Sequence, residues 1–285
     1  MVMISLTFII RGQVVDEQHR LYQQLQIEKV ELKLELIDNI ELPDYSRHKT
    51  VKHLNKVGYV TESWYMNQKG DTISRQYYIY DKDSIITGER VFYDSPDSGY
   101  FIEYRYDQQN KLITKQDYRL GSLFATTEYL YNRKGLVKKI QKEMESHQKK
   151  KHFDDSYVIS FQYDELDRVT ERKISTKRQG DKEWIKRTSR YTDEGSSRKV
   201  YKSESKSKEE WLDAEYIFDS QNRLSEIRFF TKAKNRVFEM PWYPDDPYRI
   251  EVSYSDDGLA MEEKLYLDEK EIGVRRYQYQ YREQR

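Results

Sequence analysis

Cysteine is absent from this 285-residue chain. That excludes a disulfide scaffold, a thiol nucleophile, a thiolate zinc site and a lipidated cysteine anchor. No apolar run approaches the roughly 18 residues of a membrane-spanning helix, so no transmembrane segment is expected. Net charge is missing too, since 50 Lys/Arg meet 50 Asp/Glu. There is no phosphate loop, no dinucleotide glycine fingerprint and no Gly-x-Ser-x-Gly elbow. Mean hydropathy is −1.02 with 35% charged residues, a balance that leans toward disorder. Against it stand 26 Tyr, 10 Phe and 4 Trp, because disordered chains are poor in aromatics. The composition predicts a folded protein with a tyrosine-based core.

The one continuously apolar run is Met1 to Ile10, followed by Arg11-Gly12. Its length is that of a signal-peptide core, and the expectation is a signal over residues 1–12 and an extracytoplasmic protein. The same residues alternate, so a first strand is the competing reading. Residues 13–56 read as an N-terminal segment. A short helix is expected within Val14–Gln26, with Leu21 and Leu25 at i, i+4. A strand follows, in which Val30, Leu32, Leu34 and Leu36 alternate with charges.

From residue 57 to 285 one phrase recurs. It reads Tyr106-Asp-Gln-Gln-Asn110-Lys-Leu112, Tyr131-Asn-Arg-Lys-Gly135, Tyr163-Asp-Glu-Leu-Asp167-Arg-Val169, Tyr191-Thr-Asp-Glu-Gly195, Phe218-Asp-Ser-Gln-Asn222-Arg-Leu224 and Tyr254-Ser-Asp-Asp-Gly258. Weaker copies start at Met66 and Tyr80. The fifth position is always Asn, Gly or Asp, the residues that best tolerate a left-handed backbone. The phrase therefore predicts a hairpin closed by a type I turn and a G1 bulge, with the second residue capping the turn. Before the turns, Tyr100, Ile102, Tyr104 and Tyr106 alternate, as do Tyr157 to Tyr163, Leu212 to Phe218 and Tyr248 to Tyr254. A period of two puts each quartet on one sheet face. Tyr104, Tyr106, Ile159, Phe161, Tyr163, Tyr216, Phe218, Val252 and Tyr254 should then form one buried layer. The residues between them, such as Glu103, Asp213 and Glu251, should face solvent.

The phrase resembles the YD repeat of RHS-type proteins, teneurins and bacterial toxin shells. It departs from that pattern where Gly becomes Asn or Asp, and the following Arg survives only at Arg168 and Arg223. The resemblance implies an all-β fold, an elongated curved antiparallel sheet of repeated hairpins too short to close into the large shell. It implies no catalytic residue.

Trp184 and Trp211 each stand seven residues before an anchor aromatic, and Trp242-Tyr243 lie in a proline-rich loop. These four are the candidate binding residues, able to stack on sugar rings; packing beneath loops is the competing use. Residues 133–208 carry 22 Lys/Arg against 13 Asp/Glu, whereas residues 235–271 carry 4 against 11. For an exported protein such a basic stretch suits envelope polysaccharide or a protein partner, and nucleic acid is not expected. The five histidines match no zinc spacing, and Asp245-Asp246 and Asp256-Asp257 match no EF-hand; neither metal nor cofactor is expected. The reading is a non-enzymatic, secreted or surface binding and scaffolding module. The alternatives are a carbohydrate-active enzyme on a β-sheet and a shell-like fragment enclosing a partner polypeptide.

Overall fold

The structure is a computed structural model. It describes residues 20–36, 48–93, 99–145, 156–177, 185–204, 209–230, 249–267 and 270–282. The expected signal over residues 1–12 lies outside them. A helical turn at 20–24 precedes eighteen strands. They are β1 (Ile27–Leu36), β2 (Lys49–Leu54), β3 (Val60–Met66), β4 (Thr72–Tyr80), β5 (Ile86–Tyr93) and β6 (Tyr100–Tyr106). Next come β7 (Leu112–Arg119), β8 (Ser122–Tyr131), β9 (Val137–Met144), β10 (Ser156–Tyr163), β11 (Val169–Lys177) and β12 (Ile185–Glu194). The last six are β13 (Ser197–Glu204), β14 (Glu210–Phe218), β15 (Leu224–Phe229), β16 (Arg249–Tyr254), β17 (Ala260–Leu267) and β18 (Lys270–Tyr281).

All strands belong to one antiparallel sheet. The open, elongated sheet expected from sequence is corrected in one respect. β1 pairs β18 on one side and β2 on the other, so the order of pairing is closed, of barrel type. Closure removes the unpaired edges that an open sheet would have to protect. By compactness the chain divides into two units. Unit 1 holds residues 1–77, 193–199 and 213–285, and unit 2 holds residues 78–192 and 200–212.

The predicted turns are present. Asn110, Gly135, Asp167, Gly195, Asn222 and Gly258 all have positive φ, between 59° and 84°. In the turn after β6, the Asp107 N–H donates to the Lys111 carbonyl (2.9 Å) and the Asn110 N–H to the Asp107 carbonyl (3.1 Å). Asp107 Oδ1 meanwhile accepts from the N–H groups of Gln109 and Lys111 (2.8 and 2.9 Å). The backbone pattern recurs at Asn55, Asn67, Asp81, Asn132, Asp164, Asp219 and Ser255. The register slips by a residue beside Leu54, Met66, Tyr106, Tyr131, Tyr163, Phe218 and Tyr254, which is the bulge. Two turns differ from the reading. Asn55 to Gly58 (φ 85°) is a copy whose anchor, Leu54, is aliphatic. Gly195 instead lies in a two-residue turn between β12 and β13, of the kind with glycine first.

The strands present one face rich in tyrosine and one rich in paired charges. On the charged face of unit 1, Glu31 accepts from Lys29 and Lys49 (2.6 Å each), and Arg276 lies between Glu35 and Glu262. In unit 2, Arg190 meets Glu210 at 2.6 Å. Such exposed pairs contribute roughly 0–1 kcal/mol each and mainly keep the face solvated. The expected solid tyrosine layer is corrected. Of its nine residues only Phe161 is buried, and the other eight are half-buried, because Lys115, Asp117 and Lys142 share that face in unit 2. Asp213, expected in solvent, is 2% exposed. Apolar packing is concentrated in smaller clusters. In unit 1 the helical turn sets Tyr22 on Ile27, Val30, Leu54 and Leu259, with Tyr277 and Tyr279 alongside.

Candidate functional site

The tyrosines are placed by a hydrogen bond that reaches back one repeat. Tyr106 Oη donates to the Ile86 carbonyl (2.6 Å), Tyr131 to Leu112 (2.8 Å) and Tyr163 to Val137 (2.7 Å). In unit 1, Tyr254 donates to Leu224 (2.8 Å) and Tyr279 to Ala260 (2.7 Å). Each acceptor is the first residue of the strand leaving the preceding turn. A cation from that turn then covers the ring. Lys111 Nζ lies 5.7 Å from the Tyr131 centroid and the Arg223 guanidinium 4.5 Å from that of Tyr254. The two arginines that follow the fifth position have a second use. Arg168 and Arg223 donate to the free oxygens of the capping carboxylates Asp164 and Asp219, at 2.7 Å each.

With the anchors fixed, the register of unit 2 lays out two rows on the tyrosine face. Tyr104, Lys115, Thr127, Lys142 and Tyr157 are successive cross-strand partners from β6 to β10. Beside them run Glu89, Ile102, Asp117, Ala125 and Met144, from β5 to β9. Glu89 and Asp117 therefore flank Ile102 on neighbouring strands, their backbones about 9–10 Å apart across the sheet. Tyr104 Oη donates to Glu89 Oε1 at 2.6 Å, and Lys115 Nζ meets Asp117 Oδ1 at 3.2 Å. Burial, and then the Glu89 carboxylate, push the Tyr104 phenol far above its ordinary range. Burial with the neighbouring Tyr93 hydroxyl does the same at Tyr100, and burial with Tyr157 at Tyr129. These phenols thus remain hydroxyl donors at any ordinary pH. The face offers fixed O–H donors, two carboxylate acceptors, two ammonium groups and half-buried aromatic rings. Such a set can bind a polyhydroxylated ligand.

The sequence-derived candidates fare differently. Trp184, Trp242 and Tyr243 lie outside the described residues. Trp211 is half-buried on β14, and its indole Nε1 is buried without a hydrogen-bond partner among the described residues. The fourth tryptophan, Trp64, has the Arg75 guanidinium over its ring at 4.8 Å and the tilted His53 ring at 5.6 Å. His53 is thereby a strand residue of β2. Among the described residues no group of three or more His, Asp or Glu is placed to hold a metal ion. The row of Glu89, Tyr104, Lys115 and Asp117 was missed by sequence reasoning. The alternation of Tyr104 and Tyr106 gave their face, but the partners come from strands whose register is set by bulges.

No family model matches the chain, and no curated protein matches it. Among solved structures, TcdB2-TccC3-Cdc42 is similar over 83% of this chain and 15% of that one, at 13% identity and a TM-score of 0.35. TcdB2-TccC3 is similar over 82% and 17%, at 12% identity and 0.38. A porin-like protein from Bacteroides uniformis ATCC 8492 is similar over 89% and 98%, at 9% identity and 0.44. This chain thus spans about a sixth of the length of the first two. Among the described residues no helix is long and apolar enough to cross a membrane.

Proposed function

We propose that the chain is a YD-repeat-type, extracytoplasmic binding module that takes a polysaccharide on the tyrosine face of unit 2. The observation that carries the reading is the row of Tyr104, Lys115, Thr127, Lys142 and Tyr157 beside Glu89 and Asp117. A face meant only for stability would be apolar, because each buried polar group costs free energy unless it is bonded. Here Glu89 accepts from Tyr104 and Asp117 from Lys115; sugar hydroxyls would exchange with these bonds while sugar C–H groups stack on the half-buried rings. Binding is weak for each contact and is expected to build up along a polymer.

The test is retention on immobilised cell-wall and capsular polysaccharide fractions, compared between the parent and a Tyr104→Ala/Tyr157→Ala variant. Retention of the parent and its loss in a folded variant are expected. Equal retention of both, or none by either, would remove the reading. The enzymatic alternative rests on the two carboxylates either side of Ile102, since glycosidases use such a pair. Release of reducing ends by the parent, abolished by Glu89→Gln, would favour that alternative.

A further inference from the structure

A second polar cluster stands on the tyrosine face of unit 1. There Lys52 lies between Val30 of β1 and Ser63 of β3, and Val30 is itself opposite Tyr279 of β18. On β1, β2, β3, β17 and β18 the charged side chains of this face are Lys52, Arg275 and Glu263. Glu263 is occupied, since Arg275 and Tyr277 both donate to its carboxylate. Burial works to raise its pKa, but the net direction is downward, with the Arg275 charge the largest opposing cause and the Tyr277 hydrogen bond next. Lys52 is different. It is half-buried, and its ammonium forms no hydrogen bond or ion pair with the described residues. Burial draws its pKa down, while the Glu263 charge opposes this through space. Its cross-strand neighbour Ser63 is 0% exposed, and Ser63 Oγ also lacks a hydrogen-bond partner. A semi-buried cation and a buried hydroxyl without partners are costly side by side.

We infer that Lys52, with Ser63 beside it, forms an anion site that accepts the single carboxylate of an acidic sugar. Among the described residues Arg275 is paired with Glu263, so Lys52 supplies one positive charge, which a monoanion neutralises and a phosphate dianion would exceed. The hydroxyls of Thr50 and Ser63 line the same strands, which suits a hydroxylated ring better than an apolar side chain. The inference builds on the polysaccharide reading for its ligand class, but uses different residues from those of unit 2.

Titration of the full chain with sodium D-glucuronate, followed by calorimetry, tests it. Saturable binding is expected, at least tenfold weaker in Lys52→Met, with D-glucose and inorganic phosphate giving no comparable signal. If Lys52→Met fails to fold, amine acetylation of the parent supplies the second readout, by peptide mass spectrometry. Glucuronate should then slow modification of Lys52 severalfold and leave exposed lysines unchanged. The Tyr104→Ala/Tyr157→Ala variant should bind glucuronate as the parent does, so loss of polysaccharide retention there leaves this site standing. Absence of saturable glucuronate binding, unchanged binding in folded Lys52→Met, no protection of Lys52, or tighter binding of phosphate would each overturn the inference.

Discussion

A phenol that bonds a strand carbonyl can be compared directly with the phenyl ring that replaces it elsewhere in the same repeat. Tyr163 donates to the Val137 carbonyl at 2.7 Å, whereas the equivalent anchor Phe218 has a ring and no hydroxyl. Tyr163→Phe should therefore keep the fold and lose about 0.5–1.5 kcal/mol, the usual net worth of one hydrogen bond. A urea melt should show a lower midpoint at an unchanged slope. The opposite sign is expected at Leu120. This residue is 78% exposed and has φ of 49° in the turn between β7 and β8, a region costing an ordinary side chain roughly 1–2 kcal/mol. Leu120→Asn should raise the midpoint, by up to about 1 kcal/mol, since no packing is lost.

At the scale of the hairpin, each bulge turn is held by the side chain at its second position. Asp107→Ala removes the acceptor of two backbone N–H groups, those of Gln109 and Lys111. The expected cost is about 1–2 kcal/mol, with faster hydrogen exchange at those two amides as the local signature. Gly135→Val should cost about the same or more. Its φ is +81°, and a Cβ there would meet Lys111 Nζ at 3.0 Å. These turns were the most legible part of the sequence, because a left-handed residue and a capping oxygen restrict residue type strongly. The copy at Asn55 escaped notice because a hydrophobic anchor, Leu54, can fill the same place with no hydroxyl. Gly195 was read as a bulge turn because its glycine suits either geometry. The site was less legible for a physical reason. Tyr104 meets Glu89 fifteen residues away, and the slip between Asp117 and Tyr118 changes which side chains of β7 share a face. Closure was illegible too, since it depends on β1 and β18 finding each other across almost the whole chain.

At the scale of the molecule, the tyrosines couple stability to alkaline pH. Burial is the leading cause that lifts Tyr106 and Tyr254 to about 12, against about 10 in an unfolded chain. Tyr266 is likewise pushed to about 12, by burial and its bond to Glu251. Between those values the unfolded chain has lost protons that the folded chain retains, so stability must fall as pH rises. Below about pH 10 both states carry the proton and this contribution is complete. Stability should therefore be insensitive to these groups up to about pH 10, and decline through pH 12. Several other phenols are raised further, among them Tyr104 and Tyr277, so the loss should be shared across both units. Tyrosinate absorbance should consequently appear together with the loss of the β-sheet circular dichroism signal, in one steep step above pH 10. A gradual titration of most tyrosines near pH 10, with the sheet signal intact, would show that these hydroxyls are not held by the carbonyls and carboxylates of the fold.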